Sequence, residues 1–168
     1  LSIRRQRQMC IRDSFCDGVR VTEDQLPIRG KHNLENALAA VAACRRIGIK
    51  LPQIAKGQMR VVPAITESDY GWSEEDVRLS VSSDGEKFRI DGAKSYVYDG
   101  QSATHFLCAV RSGSDVGIIL VTADGTGVET RGLPGFSWNM SEVRFTEATV
   151  EAADLLGGSF SGGWAALE

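Results

Sequence analysis

Long apolar runs are missing from this 168-residue chain. No stretch approaches the roughly 20 residues a membrane-spanning helix needs. The arginines near its start are not followed by the apolar segment of a secretory signal, so the expectation is a cytoplasmic protein with no membrane span. Cysteine is scarce: Cys10, Cys16, Cys44 and Cys108 sit far apart with no metal-like spacing. They read as incidental thiols, which fits a reducing compartment better than a disulfide framework or a zinc site. Of the histidines, His105 has no acid or metal partner nearby in sequence and reads as a surface or satisfied core residue. An excess of positive charge is absent too. Leu1 to Ser14 carries Arg4, Arg5, Arg7 and Arg12 against Asp13, a net of +3, which leaves −6 for the rest of a chain whose total is −3. That acidic body argues against a nucleic-acid surface. What is present, 42% hydrophobic and 24% charged residues, is the composition of a globular chain of one domain, or of one domain and a piece of another.

The periodicity changes near residue 50. Leu34, Ala37, Leu38, Val41, Cys44 and Ile47 recur at three- and four-residue steps and predict one amphipathic helix, capped by Asn33 and ended by Gly48. Past residue 60 the period becomes two. Val77, Leu79 and Val81 alternate with polar neighbours, as do Phe88 and Ile90, then Tyr96 and Tyr98, and Asp-Gly pairs at 84-85, 91-92 and 99-100 read as hairpin turns. Further strands are expected at 106-110, 117-121, 128-131 and 142-145. Many short strands without intervening helices predict a mainly β fold, an antiparallel barrel or sandwich over residues 60-155. Its expected core is Val77, Leu79, Val81, Phe88, Ile90, Phe106, Leu107, Ile119, Val121 and Phe145.

Three segments, VPAITESDYGWSEEDV at 62-77, DGEKFRIDGAKSYVYDGQSATHFLCAVRS at 84-112 and EVRFTEATVEAADLLGGSFSGGW at 142-164, resemble in order and spacing the signatures of the acyl-CoA dehydrogenase middle domain. LPQIAKGQ at 51-58 is similar to the stretch that closes that family's N-terminal helical domain. The resemblance covers about 51-168 and implies an antiparallel β domain that binds FAD. The parent enzyme it implies is an oxidoreductase of fatty acid metabolism, a homo- or hetero-tetramer acting on acyl-CoA thioesters. Such enzymes remove an α-proton and pass a β-hydride to the flavin, with a carboxylate from the C-terminal helical domain as base. By resemblance, Thr66 and the backbone of Ile65 to Glu67 lie along the flavin's pyrimidine edge. Gly71 lets the backbone pass close to the cofactor. Tyr96 covers a ring face, with Val97 beside it, and Tyr98 stands where the family's N5-facing threonine is.

This sequence departs from the family pattern at several of these positions. Ser68 replaces a proline, and the family's Gly-Ser-Asp reads Gly71-Trp72-Ser73. Tyr98 keeps a hydroxyl but carries it further out. Gly113-Ser114-Asp115 is a coincidental match in a hairpin loop. Each residue also has a bland reading. Tyr96 and Tyr98 could be cross-strand packing, Thr66 an ordinary strand residue, Trp72 and Trp138 barrel fillers, and Glu67, Glu74 and Glu75 a solvated face.

LPIRGKHNLENALAAVAACRRIGI at 26-49 resembles the end of the ATP-binding domain of Mur ligases, the one adding D-glutamate to UDP-N-acetylmuramoyl-L-alanine foremost. That resemblance makes His32, Asn33 and Asn36 candidate adenine contacts, with a simple helix cap as the alternative for Asn33. No phosphate-cradling loop accompanies them, so ATP use is not expected. LSIRRQRQMCIRDS at 1-14 resembles translated sequencing-adapter text. The expected organisation is therefore a disordered tail at 1-14, a ligase-like helical fragment at 15-49, and the end of a dehydrogenase N-terminal domain at 50-59. A middle β domain at 60-158 and the start of a C-terminal helical domain at 159-168 follow. Two readings stay open: a flavin-contacting part of a dehydrogenase, inactive alone because it carries no catalytic residue, or a chimeric or non-catalytic chain with no ligand.

Overall fold

The structure, a computed structural model, describes residues 13-16, 19-22, 58-85, 87-135 and 139-164. The predicted helix at 34-47, His32, Asn33, Asn36 and Trp138 lie outside them. The chain divides into two compact units, Leu1–Gln58 and Met59–Glu168. In the first, β1 (Asp13–Cys16) and β2 (Val19–Thr22) pair antiparallel with Cys16 opposite Val19, so that Asp17-Gly18 joins them in sequence. Asp-Gly between short strands is a hairpin signal.

The second unit is a curled seven-stranded sheet. Its strands are β3 (Val61–Ala64), β4 (Ser80–Asp84), β5 (Lys87–Tyr98), β6 (His105–Ser112), β7 (Asp115–Thr122), β8 (Val128–Gly132) and β9 (Met140–Glu151). The order is β3-β6-β4-β5-β9-β8, with β7 paired to β6. β6 explains that order. One edge carries β7 antiparallel along its whole length; the other is shared, with β3 parallel along His105 to Cys108 and β4 joining in parallel at Arg111. β3 and β4 therefore lie end to end, and residues 65-79 leave the sheet between them. The β-rich class is as the sequence implies, but the wholly antiparallel arrangement is corrected to a mixed one. Alternation of apolar residues sets which face is buried and carries no information about strand direction.

Seven of the expected core residues, Val77, Leu79, Ile90, Phe106, Ile119, Val121 and Phe145, are buried; Val81, Phe88 and Leu107 are half-buried and pack against the core. The turn at Gly113-Ser114 joins β6 to β7, with Gly113 at φ 60° and Ser112 opposite Asp115. Asp91-Gly92 is not a turn. It lies within one continuous strand, β5, where the expected hairpin is replaced by two bulges against β9. In the first, Asp91 faces two residues of β9, Thr146 and Glu147; in the second, Ser95 and Tyr96 of β5 face Glu142. Each bulge holds a non-glycine residue in the left-handed region, Glu147 at φ 49° and Tyr96 at φ 57°. A bulge reverses which residues face inward. Phe88, Ile90 and Lys94 point to the interior before the second bulge and Val97 after it, so Tyr98 turns outward.

Candidate functional site

The 65-79 loop meets β5 at its second bulge. Thr66 and Ser95 are joined twice: the Ser95 amide donates to the Thr66 carbonyl (2.9 Å), and the Thr66 hydroxyl donates to the Ser95 carbonyl (2.7 Å). Both residues are buried. Beneath them lies Lys94, whose side chain is 0% exposed and whose Nζ donates to the Ile65 carbonyl (2.9 Å) and to Glu67 Oε1 (2.8 Å). That same oxygen accepts the amides of Arg78 (2.9 Å) and Leu79 (2.8 Å). A buried charge is tolerable only when paired and hydrogen-bonded, and this pair is both. Burial alone would raise the Glu67 carboxyl, but the Lys94 hydrogen bond, the Leu79 amide, the Lys94 charge and the Arg78 amide outweigh it and hold the group below its ordinary 4.5. For Lys94, burial outweighs the hydrogen bond and charge of Glu67 and lowers the ammonium below its ordinary 10.5. Burial also pushes the neighbouring Cys108 thiol up to about 12, so it stays neutral.

The middle of the loop is organised by Asp76. Its Oδ2 accepts the amide (2.9 Å) and the hydroxyl (2.6 Å) of Ser73, which holds its carboxyl below the ordinary range, and a short 3-10 turn over Glu74–Asp76 follows. A Cβ on Gly71 would overlap the Asp76 carboxylate. The glycine is thus required by contact within the loop. The far end is held by Arg111, whose Nε donates to the Val77 carbonyl (2.7 Å) and whose Nη2 donates to the Glu74 carbonyl.

What this framework presents outward is aromatic. Tyr70 is 52% exposed, Trp72 62% and Tyr98 51%. The rings of Tyr70 and Tyr96 meet edge to face at 4.5 Å. Both tyrosines adopt positive φ, 65° and 57°. For a bulky residue that conformation costs on the order of 1–3 kcal/mol, and such strain gathers at functional sites. Trp72 does not fill the barrel, which removes one of its bland readings. Val97 is buried in the core, so only its backbone reaches the site region.

The structure thus brings Ile65, Thr66 and Glu67 against Lys94 and Ser95 of β5, and ties Gly71 and Ser73 together through Asp76. Trp72 and Tyr98 are placed at the surface. Lys94 and Arg111 escaped the sequence reading as site residues. Lys94 shares the even-numbered parity of Phe88 and Ile90, which signals an inward direction; nothing in the sequence marks Arg111. A separate depression of about 480 Å³, lined by Lys87, Phe88, Arg89, Thr126, Thr149 and Glu151, lies on another part of the sheet. No cluster of His, Cys, Asp or Glu among the described residues is arranged to hold a metal ion.

A threonine hydroxyl that donates to Ser95 retains acceptor lone pairs, and exposed aromatic rings offer faces for stacking.

No protein-family profile matches the chain. Its fold is that of solved acyl-CoA dehydrogenases. A putative acyl-CoA dehydrogenase from Mycobacterium smegmatis matches with TM-score 0.65 and 28% identity, over 78% of this chain and 36% of that one. An acyl-CoA dehydrogenase from Geobacillus kaustophilus matches with TM-score 0.68 and 21% identity, over 80% and 38%. A glutaryl-CoA dehydrogenase from Mycobacterium smegmatis, solved with FADH2, matches with TM-score 0.65 and 19% identity, over 73% and 34%. Part of the chain is also similar to a Mur ligase, the UDP-N-acetylmuramate--L-alanine ligase of Synechococcus sp. (strain RCC307), 46% identical over 54 residues, 32% of this chain and 11% of that protein. That relative adds L-alanine by name, where the sequence motif suggested the D-glutamate-adding enzyme. The chain thus spans little more than a third of these dehydrogenases and about a tenth of the ligase.

Proposed function

We propose that residues from about 51 onward are the flavin-contacting middle domain of an acyl-CoA dehydrogenase, and that a ligase-derived segment precedes them. The observation that carries the first part is the double link between Thr66 and Ser95. It sets the Thr66 hydroxyl beside the Tyr96 bulge, where the family resemblance puts the pyrimidine edge and one face of the ring. Bound FAD would supply the hydride acceptor for acyl dehydrogenation, chemistry that belongs to the cofactor. This chain's part is to bind and orient: Thr66 and the backbone of Ile65 to Glu67 hold the ring edge, and Tyr96 and Trp72 cover its face. Glu67 serves from behind, through Lys94 and the Arg78 and Leu79 amides. Gly71 acts by making room for Asp76. Tyr98 lines the outer rim of the same surface, and Ser73 fixes the loop. The acyl-CoA substrate, tetrameric assembly and a cytoplasmic setting belong to the parent enzyme proposed here.

The test is an FAD titration of the purified chain followed in the visible spectrum. Binding shifts and structures the long-wavelength flavin band, and Thr66→Val weakens binding. A band identical to free FAD at saturating protein removes the flavin reading and leaves a fold without that ligand.

A further inference from the structure

We infer that Lys94 and Arg111, to which neither the sequence motifs nor the comparisons assign a role, are positioning residues that set the 65-79 loop from the sheet beneath it. The inference rests on the proposal that this loop faces the ligand. Between its ends the loop has no strand partner, yet its shape is closely specified. At its start, the Lys94 ammonium bridges the Ile65 carbonyl and Glu67 Oε1, and Glu67 passes the constraint on to the Arg78 and Leu79 amides at the loop's end. One buried cation therefore staples the two ends of the loop together. In the second half, Arg111 holds the Glu74 and Val77 carbonyls from β6. Both cations come from central strands, β5 and β6, whose ladders do not depend on the loop.

The consequence is preorganisation. Tyr70 and Tyr96 stand in a conformation that bulky residues avoid, and such strain persists only where surrounding contacts over-determine it. The two cations fix the backbone on either side of Tyr70, at Ile65 and at Glu74 and Val77, so they act on the ligand through the loop and touch it nowhere. A site held within about 0.5 Å of its productive geometry needs such support. Loosening the clamp is expected to weaken ligand binding while leaving the sheet intact.

Hydrogen exchange and FAD titration on the full chain test this together, using Lys94→Met, Arg111→Gln and Arg111→Lys. The expected result has three parts. Amides of residues 65-79, those of Arg78 and Leu79 foremost, lose at least tenfold in protection in Lys94→Met and Arg111→Gln, while β6, β7 and β9 keep theirs. FAD affinity falls at least tenfold in the same two variants with a changed bound spectrum. Arg111→Lys, which keeps the charge and a donor, falls between wild type and Arg111→Gln in both measurements. Unchanged protection of the loop overturns the inference, as does a loosened loop with wild-type FAD affinity and spectrum. Should Lys94→Met unfold, the two Arg111 variants decide it. Failure of the wild-type chain to bind FAD sinks the flavin reading instead, and the exchange data still show whether the clamp exists.

Discussion

Glu67 shows how far one side chain can move from its sequence reading. Among Glu74 and Glu75 it looks like part of a solvated face, but its carboxylate is turned inward and accepts three donors on one oxygen. Its folded pKa is lowered, so the unfolded chain binds the proton more readily. The stability it contributes is fully present above the ordinary 4.5 and is lost as pH falls through the lower folded value. In urea denaturation, wild type should lose stability across that acid window more steeply than Glu67→Gln, which does not titrate. Equal slopes would show that Glu67 is not charged in the fold. At neutral pH, Glu67→Ala should cost about 3–5 kcal/mol, because it leaves the Lys94 ammonium buried without its counter-charge. Thr66 and Tyr96 are candidates because the resemblance marks them; the inward direction of Lys94 follows from its parity with Phe88 and Ile90, but nothing in the sequence tells of its partners Ile65 and Glu67.

At the level of strands, the existence of β6 through β9 was legible from alternation and turn residues, and so was the Gly113-Ser114 hairpin. The bulges were not. Asp91-Gly92 resembles a turn locally, and only pairing with β9 shows that β5 runs through it. Parallel pairing of β3 with β6 was illegible for a similar reason, since no short-range signal records which strand returns beside which. The segment after β9 supplies an element-level prediction. It crosses β7 where Gly163 and Gly117 face each other: a Cβ on Gly163 would lie 2.7 Å from the Gly117 Cα and 2.8 Å from the Val116 carbonyl oxygen. Neither neighbour is a movable side-chain tip. Gly163→Ala should therefore cost about 1–3 kcal/mol and release the Phe160 ring from its edge contact with Phe88 at 5.3 Å, read as a lowered thermal midpoint and altered ring-proton chemical shifts. An unchanged midpoint would show that the crossing is looser than drawn.

For the whole molecule, the 168-residue polypeptide is expected to show no turnover of short, medium or long acyl-CoA substrates in a dye-coupled assay with added FAD. Proton abstraction needs a carboxylate poised at the substrate α-carbon. Glu67, the acidic residue nearest the proposed ring edge, is fixed to Lys94 and two amides. Turnover above a flavin-only control would show that another carboxylate in this chain serves as base. The placement of that loop has one further consequence. β3 and β4 abut along a single edge of β6, and everything between them departs from the ladder and returns to it without altering a single rung. Added chain at its exposed tip, around Tyr70 to Ser73 and clear of the braced ends, would cost little closure entropy, about 0.6 kcal/mol per doubling of a flexible loop. Natural selection can therefore rewrite this stretch as an interchangeable cassette, keeping the scaffold heritable while the chemistry at its mouth diverges.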